Sequence, residues 1–261
     1  MPYATNPIDS RSIYFEDDGG GGPPIVILAG FTSSTDTARN WPVAQAMRSD
    51  YRLIYIDQRG HGRSDKPHDV TAYKMSTRVA DVVAVLDALG LEKAHIVAGS
   101  YGARLAFGVA VYARDRMASL TAYGMAPGEI GMDGPVVGAV QRAMASPDDM
   151  EGFVREMAAF MPVAGPVRDR LMSNDQAALA ASWHANRADH DFTSQLADLT
   201  VPCLLLVGTE DEDFHEAVKR DAPLLPNATL IEMPGKAHFT GFVDDSIVPH
   251  IREHIAGVSP G

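Results

Sequence analysis

Ser100 stands in Ala98-Gly99-Ser100-Tyr101-Gly102, with small residues two positions to either side. That spacing suits a serine on a tight strand-to-helix turn, where larger neighbours would collide. Such a turn lifts the hydroxyl above a sheet and aims a helix N-terminus at any oxyanion that forms. Ser100 becomes a nucleophile only with a base, and His238 in Pro234-Gly235-Lys236-Ala237-His238-Phe239 is the candidate. A base needs an orienting acid, and Gly208-Thr209-Glu210-Asp211-Glu212-Asp213 offers four carboxylates. Asp211, three residues past the glycine, is the first choice and Asp213 the second. Ala29-Gly30-Phe31-Thr32 places the Phe31 N–H, beside that of Tyr101, as an oxyanion donor. The order serine, acid, histidine along the chain is one of three known orders for such a set.

These groups need a frame that brings them to one edge. Ser12–Glu16, Ile25–Leu28, Leu53–Ile56, His95–Ala98, Leu120–Tyr123, Leu204–Val207 and Thr229–Met233 read as strands. From Ile25 onward the runs are continuously apolar, as in a parallel sheet covered on both faces. The glycines 19–22, followed by Pro23-Pro24, predict a hairpin between the first two strands. Helices with a 3.6-residue period are predicted over Tyr73–Leu89, Ala103–Arg114 and around Ile247, Ile251 and Ile255. Strands alternating with helices imply right-handed crossovers and an α/β fold.

The alternation stops between Pro127 and Leu199, where three helices are predicted, Val136–Ala145, Pro147–Met161 and Asp175–Arg187. Ser146 with Pro147 is expected to start the second and Asn174 to cap the third. Residues 127–199 therefore read as a helical lid inserted into a core made of 1–126 and 200–261. Met144, Met150, Met157, Met161 and Met172 give the lid adaptable apolar surface. Met125, Met157, Trp183 and Phe239 are the candidate substrate-lining residues. Arg104 and Arg187 could meet a substrate carboxylate, although surface salt bridges are the expectation for both.

The 261 residues carry 34 acids and 22 bases, a formal charge of −12. That balance disfavours nucleic acid and anionic membrane as partners. No apolar stretch reaches the ~18 residues of a membrane span. The first residues show no leader pattern, so a cytoplasmic location is expected. Cys203, the single cysteine, cannot form an internal disulfide and is expected to be a buried strand residue. A monomer or homodimer is expected.

The segment Asp57-Gln58-Arg59-Gly60-His61-Gly62-Arg63-Ser64 resembles the Asp-x-Arg-Gly-x-Gly-x-Ser signature of the α/β-hydrolase superfamily. With the Ser100 turn and the His238 segment, the resemblance spans about residues 12–260 except the lid. It implies an α/β-hydrolase fold, with an eight-stranded, mostly parallel sheet flanked by helices and the lid after the sixth strand. It also implies no cofactor, no metal, and a triad on Ser100, Asp211 and His238. His61 would then be structural. Two departures stand out. Ala29-Gly30 replaces the usual His-Gly before the oxyanion residue, and Gly99 precedes the serine where a larger residue is common, which should enlarge or loosen the space beneath it.

The resemblance also sorts reactions. Dehalogenases and epoxide hydrolases of the superfamily use aspartate where Ser100 stands. Phe239, Tyr101 and Thr32 depart from the patterns of hydroxynitrile lyases, cofactor-free dioxygenases and perhydrolases. The expected function is hydrolysis of carboxylic esters or lactones of small to medium apolar substrates. Two alternatives remain: hydrolysis of a carbon–carbon bond in a vinylogous ketone, and ligand sensing with slow turnover on the same fold.

Overall fold

The computed structural model describes residues 2–258, apart from 132, 147, 189 and 190 and the side chains of 187 and 188. Its strands are β1 (Tyr3–Thr5), β2 (Ser12–Asp17), β3 (Pro24–Leu28), β4 (Arg52–Ile56), β5 (Ala94–Gly99), β6 (Met117–Tyr123), β7 (Cys203–Gly208) and β8 (Ala228–Met233). They form one sheet in the order β1-β2-β4-β3-β5-β6-β7-β8. Only β1 and β2 run antiparallel to their neighbours. The continuous apolar runs other than residues 229–233 are central strands, and every residue of β5 and β7, Cys203 included, is buried.

The helices are α1 (Thr35–Ala38), α2 (Pro42–Met47), α3 (Met75–Ala88), α4 (Tyr101–Tyr112), α5 (Pro135–Met144), α6 (Met150–Met157), α7 (Pro166–Met172), α8 (Gln176–Ala188), α9 (His215–Asp221), α10 (His238–Gly241) and α11 (Ile247–Ala256). Val79, Val82 and Leu86 of α3 and Leu105 and Val109 of α4 bury one face of the sheet. Val43 and Met47 of α2 and Ile247, Ile251 and Ile255 of α11 bury the other. The sheet with helices on both faces is therefore as expected. Helices α5 to α8 lie between β6 and β7.

Several local expectations fail for identifiable reasons. Glycines 19–22 do not close a hairpin, because β2 pairs antiparallel with β4 and β4 pairs with β3. β8 is the last strand of the sheet and half exposed, not buried on both faces. β1 is too short to show a pattern; Ala4 is its single buried residue. The helix predicted from Tyr73 is split at Lys74 (φ −53°, ψ 141°) into a 3₁₀ turn, Val70–Tyr73, and α3. Helix α6 begins at Met150, where the Asp149 carboxylate accepts from the Gly152 N–H, so Ser146 does not cap it; Pro147 lies outside the described residues. Asp175, not Asn174, accepts from the Ala178 N–H at the start of α8. Asn174 instead donates to the Arg170 and Leu171 carbonyls at the end of α7, a helix the periodicity missed.

Candidate active site

The strand β3 has β4 on one side and β5 on the other, so successive connections leave the sheet in opposite directions there. A crevice opens at the carboxyl ends of strands at such a point. Leu28 of β3 pairs with Ala98 of β5, so the loops that follow, with Phe31 and Ser100, emerge side by side. Asp211 follows β7 and His238 follows β8, which places all four segments on the same edge.

Ser100 adopts φ 50°, ψ −120°, a conformation costing a non-glycine residue about 1–3 kcal/mol. The turn is held on both sides. The Ser100 N–H donates to the Tyr123 carbonyl at 2.8 Å, and the Ser100 carbonyl accepts from the Arg104 N–H at 3.1 Å as α4 begins. Gly102 lets that helix approach β3, because a Cβ there would lie 2.3 Å from the Leu28 carbonyl oxygen. At Gly99 a Cβ would lie 2.3 Å from Cε2 of Phe242. The space beneath the serine is therefore not enlarged. The Phe242 ring, wedged between Trp41 and Tyr123, fills it.

His238 opens α10, and the Tyr123 hydroxyl donates to the preceding Ala237 carbonyl at 3.2 Å. Its Nε2 lies 2.9 Å from Ser100 Oγ and its Nδ1 2.8 Å from Asp211 Oδ2. The Asp211 side chain is fully buried, and its Oδ1 has no partner among the described residues. Asp213 points elsewhere: its carboxylate accepts from the Val136 and Val137 N–H groups at the start of α5. The structure thus brings Ser100, His238 and Asp211 together and makes Asp213 a helix cap.

Phe31 and Tyr101 line the same cavity as Ser100, a Cβ on Gly30 would lie 3.6 Å from Ser100 Cβ, and neither the Phe31 nor the Tyr101 N–H donates a hydrogen bond within the described residues. The loop carrying Phe31 is gripped at two carbonyls. Gln58 Nε2 donates to the Ala29 carbonyl at 2.6 Å, and its Oε1 accepts from Arg78, which also donates to Asn186 of α8. Arg170 of α7 donates to the Thr32 carbonyl at 2.8 Å. These contacts hold the loop of residues 29–32, where Ala29 stands in place of the histidine that the sequence resemblance leads one to expect.

The Asp57–Ser64 signature works as scaffold. Asp57 accepts from the Thr35 and Arg63 N–H groups, and Arg59 pairs with Asp81 and Asp9. His61 is buried edge-on to Phe31 and stacks obliquely by Tyr101, and burial pushes its imidazole down to about 4. Arg104 departs from expectation. It is fully buried, donates to the Pro127 carbonyl at 2.8 Å, and feels Asp221 and Asp191, while burial lowers it to about 9. Arg187 has no described side chain.

A cavity of about 500 Å³ runs from Ser100 and His238 up to the four inserted helices. Met125, Met157, Trp183 and Phe239 all line it. Of the five methionines expected to furnish apolar surface, Met157 and Met161 face the cavity. Sequence reasoning missed Phe31's own ring, Phe153, Phe214 and Arg170 as lining residues. Among the described residues no group of three or more His, Cys, Asp or Glu could hold a metal ion, and no helix is long and apolar enough to cross a membrane.

A profile of the α/β hydrolase fold matches residues 23–158. The chain belongs to the α/β hydrolase fold family. This hydrolase is 31% identical over 211 residues to a non-heme chloroperoxidase of Streptomyces lividans, across 72% of its own length and 75% of the relative's. It is 29% identical over 189 residues to 3-oxoadipate enol-lactonase 1 of Acinetobacter baylyi, across 68% of each chain. Among solved structures it superposes on an esterase from Rhodococcus sp. ECU1013 with a TM-score of 0.78 and 28% identity, covering 99% of this chain and 100% of that one.

Proposed function

We propose that this α/β hydrolase cleaves carboxylic esters or lactones of small to medium size through an acyl-enzyme on Ser100. The observation that carries the reading is the unbroken run from buried Asp211 through His238 to Ser100, at 2.8 and 2.9 Å, opening into an apolar cavity. In this reading Ser100 Oγ attacks the carbonyl carbon while His238 Nε2 takes its proton. The Phe31 and Tyr101 amides receive the oxyanion, reinforced by the N-terminus of α4. His238 returns the proton to the leaving alcohol. A water then gives its proton to His238, attacks the acyl carbon and releases the acid and free Ser100. Asp211 holds the imidazole orientation throughout.

Residues 127–199 act in this scheme as a lid over a core of 1–126 and 200–261. Met125, Met157, Trp183 and Phe239 receive the apolar part of the substrate. Esterase and enol-lactonase relatives support the acyl-transfer class. Hydrolysis of p-nitrophenyl esters from acetate to octanoate by the wild type and by Ser100→Ala tests it. The expected loss of kcat in the variant is at least ~10³-fold, with a chain-length optimum that sizes the cavity. A wild type that barely turns over, or a variant that matches it, would leave ligand sensing or carbon–carbon cleavage as the better account.

A further inference from the structure

Helix α7 carries two arginines facing different surroundings. Arg168 pairs with Glu151 of α6 at the surface. Arg170 lines the cavity that ends at Ser100 and His238. Its Nη1 donates to the Thr32 carbonyl, and no carboxylate pairs with it among the described residues. No aspartate or glutamate lines the cavity among those residues, and Arg170 is its one guanidinium. In a chain with 34 acids, a partly buried cation left without one is a specific arrangement.

A guanidinium withdrawn from water loses hydration that one neutral carbonyl does not replace. Burial accordingly pushes Arg170 below its ordinary value, with no nearby acid opposing the shift. The Thr32 contact uses one N–H, and the other four N–H donors have no partner among the described residues. A carboxylate matches that fork with two charge-assisted hydrogen bonds.

We propose that Arg170 docks a carboxylate carried by the substrate, so that this enzyme prefers monoesters or lactones of short dicarboxylic acids over neutral esters. The proposal rests on the Ser100 acyl-transfer reading for the reacting end of the molecule. Thr32 directly follows Phe31, whose N–H would hold the oxyanion. The cavity that joins Arg170 to Ser100 holds about 500 Å³, room for a short diacid chain together with its leaving group. The apolar walls then receive the methylenes and the leaving alcohol.

The test compares mono-p-nitrophenyl glutarate with p-nitrophenyl valerate, its uncharged counterpart, on wild type, Arg170→Met and Arg170→Lys at fixed ionic strength. Arg170 also holds the Thr32 carbonyl, so its variants slow both esters; that shared loss cancels in the ratio of the two kcat/KM values. The ratio is expected to favour the glutarate ester in the wild type. It should fall about 10- to 100-fold in Arg170→Met, chiefly through KM, and recover in part in Arg170→Lys. A ratio that Arg170→Met leaves unchanged overturns the proposal. Calorimetry with monomethyl glutarate on Ser100→Ala, with and without Arg170→Met, separates the two readings. If neither nitrophenyl ester turns over, acyl transfer fails, yet binding that depends on Arg170 still supports the docking site, and binding indifferent to it sinks the site.

Discussion

Asp211 and Asp213 are two residues apart, both acidic, and differ in what they touch, so a pair of substitutions separates their roles. Asp211 bonds His238 Nδ1 at 2.8 Å from a fully buried position. Asparagine at 211 keeps the shape and removes the charge that favours the correct tautomer and the imidazolium. The loss in kcat should be about 10³- to 10⁴-fold, equivalent to about 4–5.5 kcal/mol of transition-state stabilisation. Asp213 bonds the Val136 and Val137 amides at 3.0 and 2.9 Å. Asp213→Ala removes a cap and should cost about 1 kcal/mol, a fall in Tm of roughly 2–4 °C, with kcat within a few-fold. The assay is p-nitrophenyl butyrate hydrolysis alongside thermal melts followed by circular dichroism. The assignment is refuted if Asp211→Asn keeps more than about a tenth of the activity, or if Asp213→Ala loses as much activity with an unchanged melt.

Gly99→Ala should lower stability by about 1–3 kcal/mol, because its Cβ would meet the Phe242 ring at 2.3 Å; adding Phe242→Ala should relieve the overlap, and a Tm unmoved by Gly99→Ala contradicts this packing. Gln58→Leu frees the Ala29 carbonyl beside the proposed oxyanion site and should lower kcat about 10-fold with little change in KM; a change confined to KM would speak against a positioning role. His61 and His95 are both held near 4 by burial, below the ordinary 6.5, so between those values the unfolded chain binds more protons than the native one. Their contribution is complete above about pH 6.5 and is lost as the pH falls toward 4, at up to about 1.4 kcal/mol per pH unit for each histidine. Melts between pH 7.5 and 4.5 should show that fall, and a flat Tm would contradict it.

Much of the frame was legible along the chain because it rests on local rules. Continuous apolar runs marked the buried strands, and small residues around Ser100 marked a turn whose φ is indeed 50°. The spacing of Ile247, Ile251 and Ile255 marked a buried helix face. The failures occur where a distant partner decides. Glycines 19–22 look like a hairpin, but β4, some thirty residues further on, offers β2 the better pairing surface. Gly99 reads as empty space until Phe242 arrives from the far end of the chain.

The residue types of the candidate site, its serine, histidine, acid and paired amides, were determined by the sequence itself, because each sits at a turn its own neighbours dictate. Which acid meets His238 was decided only in three dimensions. The turn after β7 sends Asp211 inward and leaves Asp213 to the N-terminus of α5, an element nearly eighty residues earlier. The same holds for Arg170. Nothing in Pro166–Met172 distinguishes it from Arg168, and only the packing of α7 over the loop at Thr32 gives one arginine a glutamate and the other a cavity.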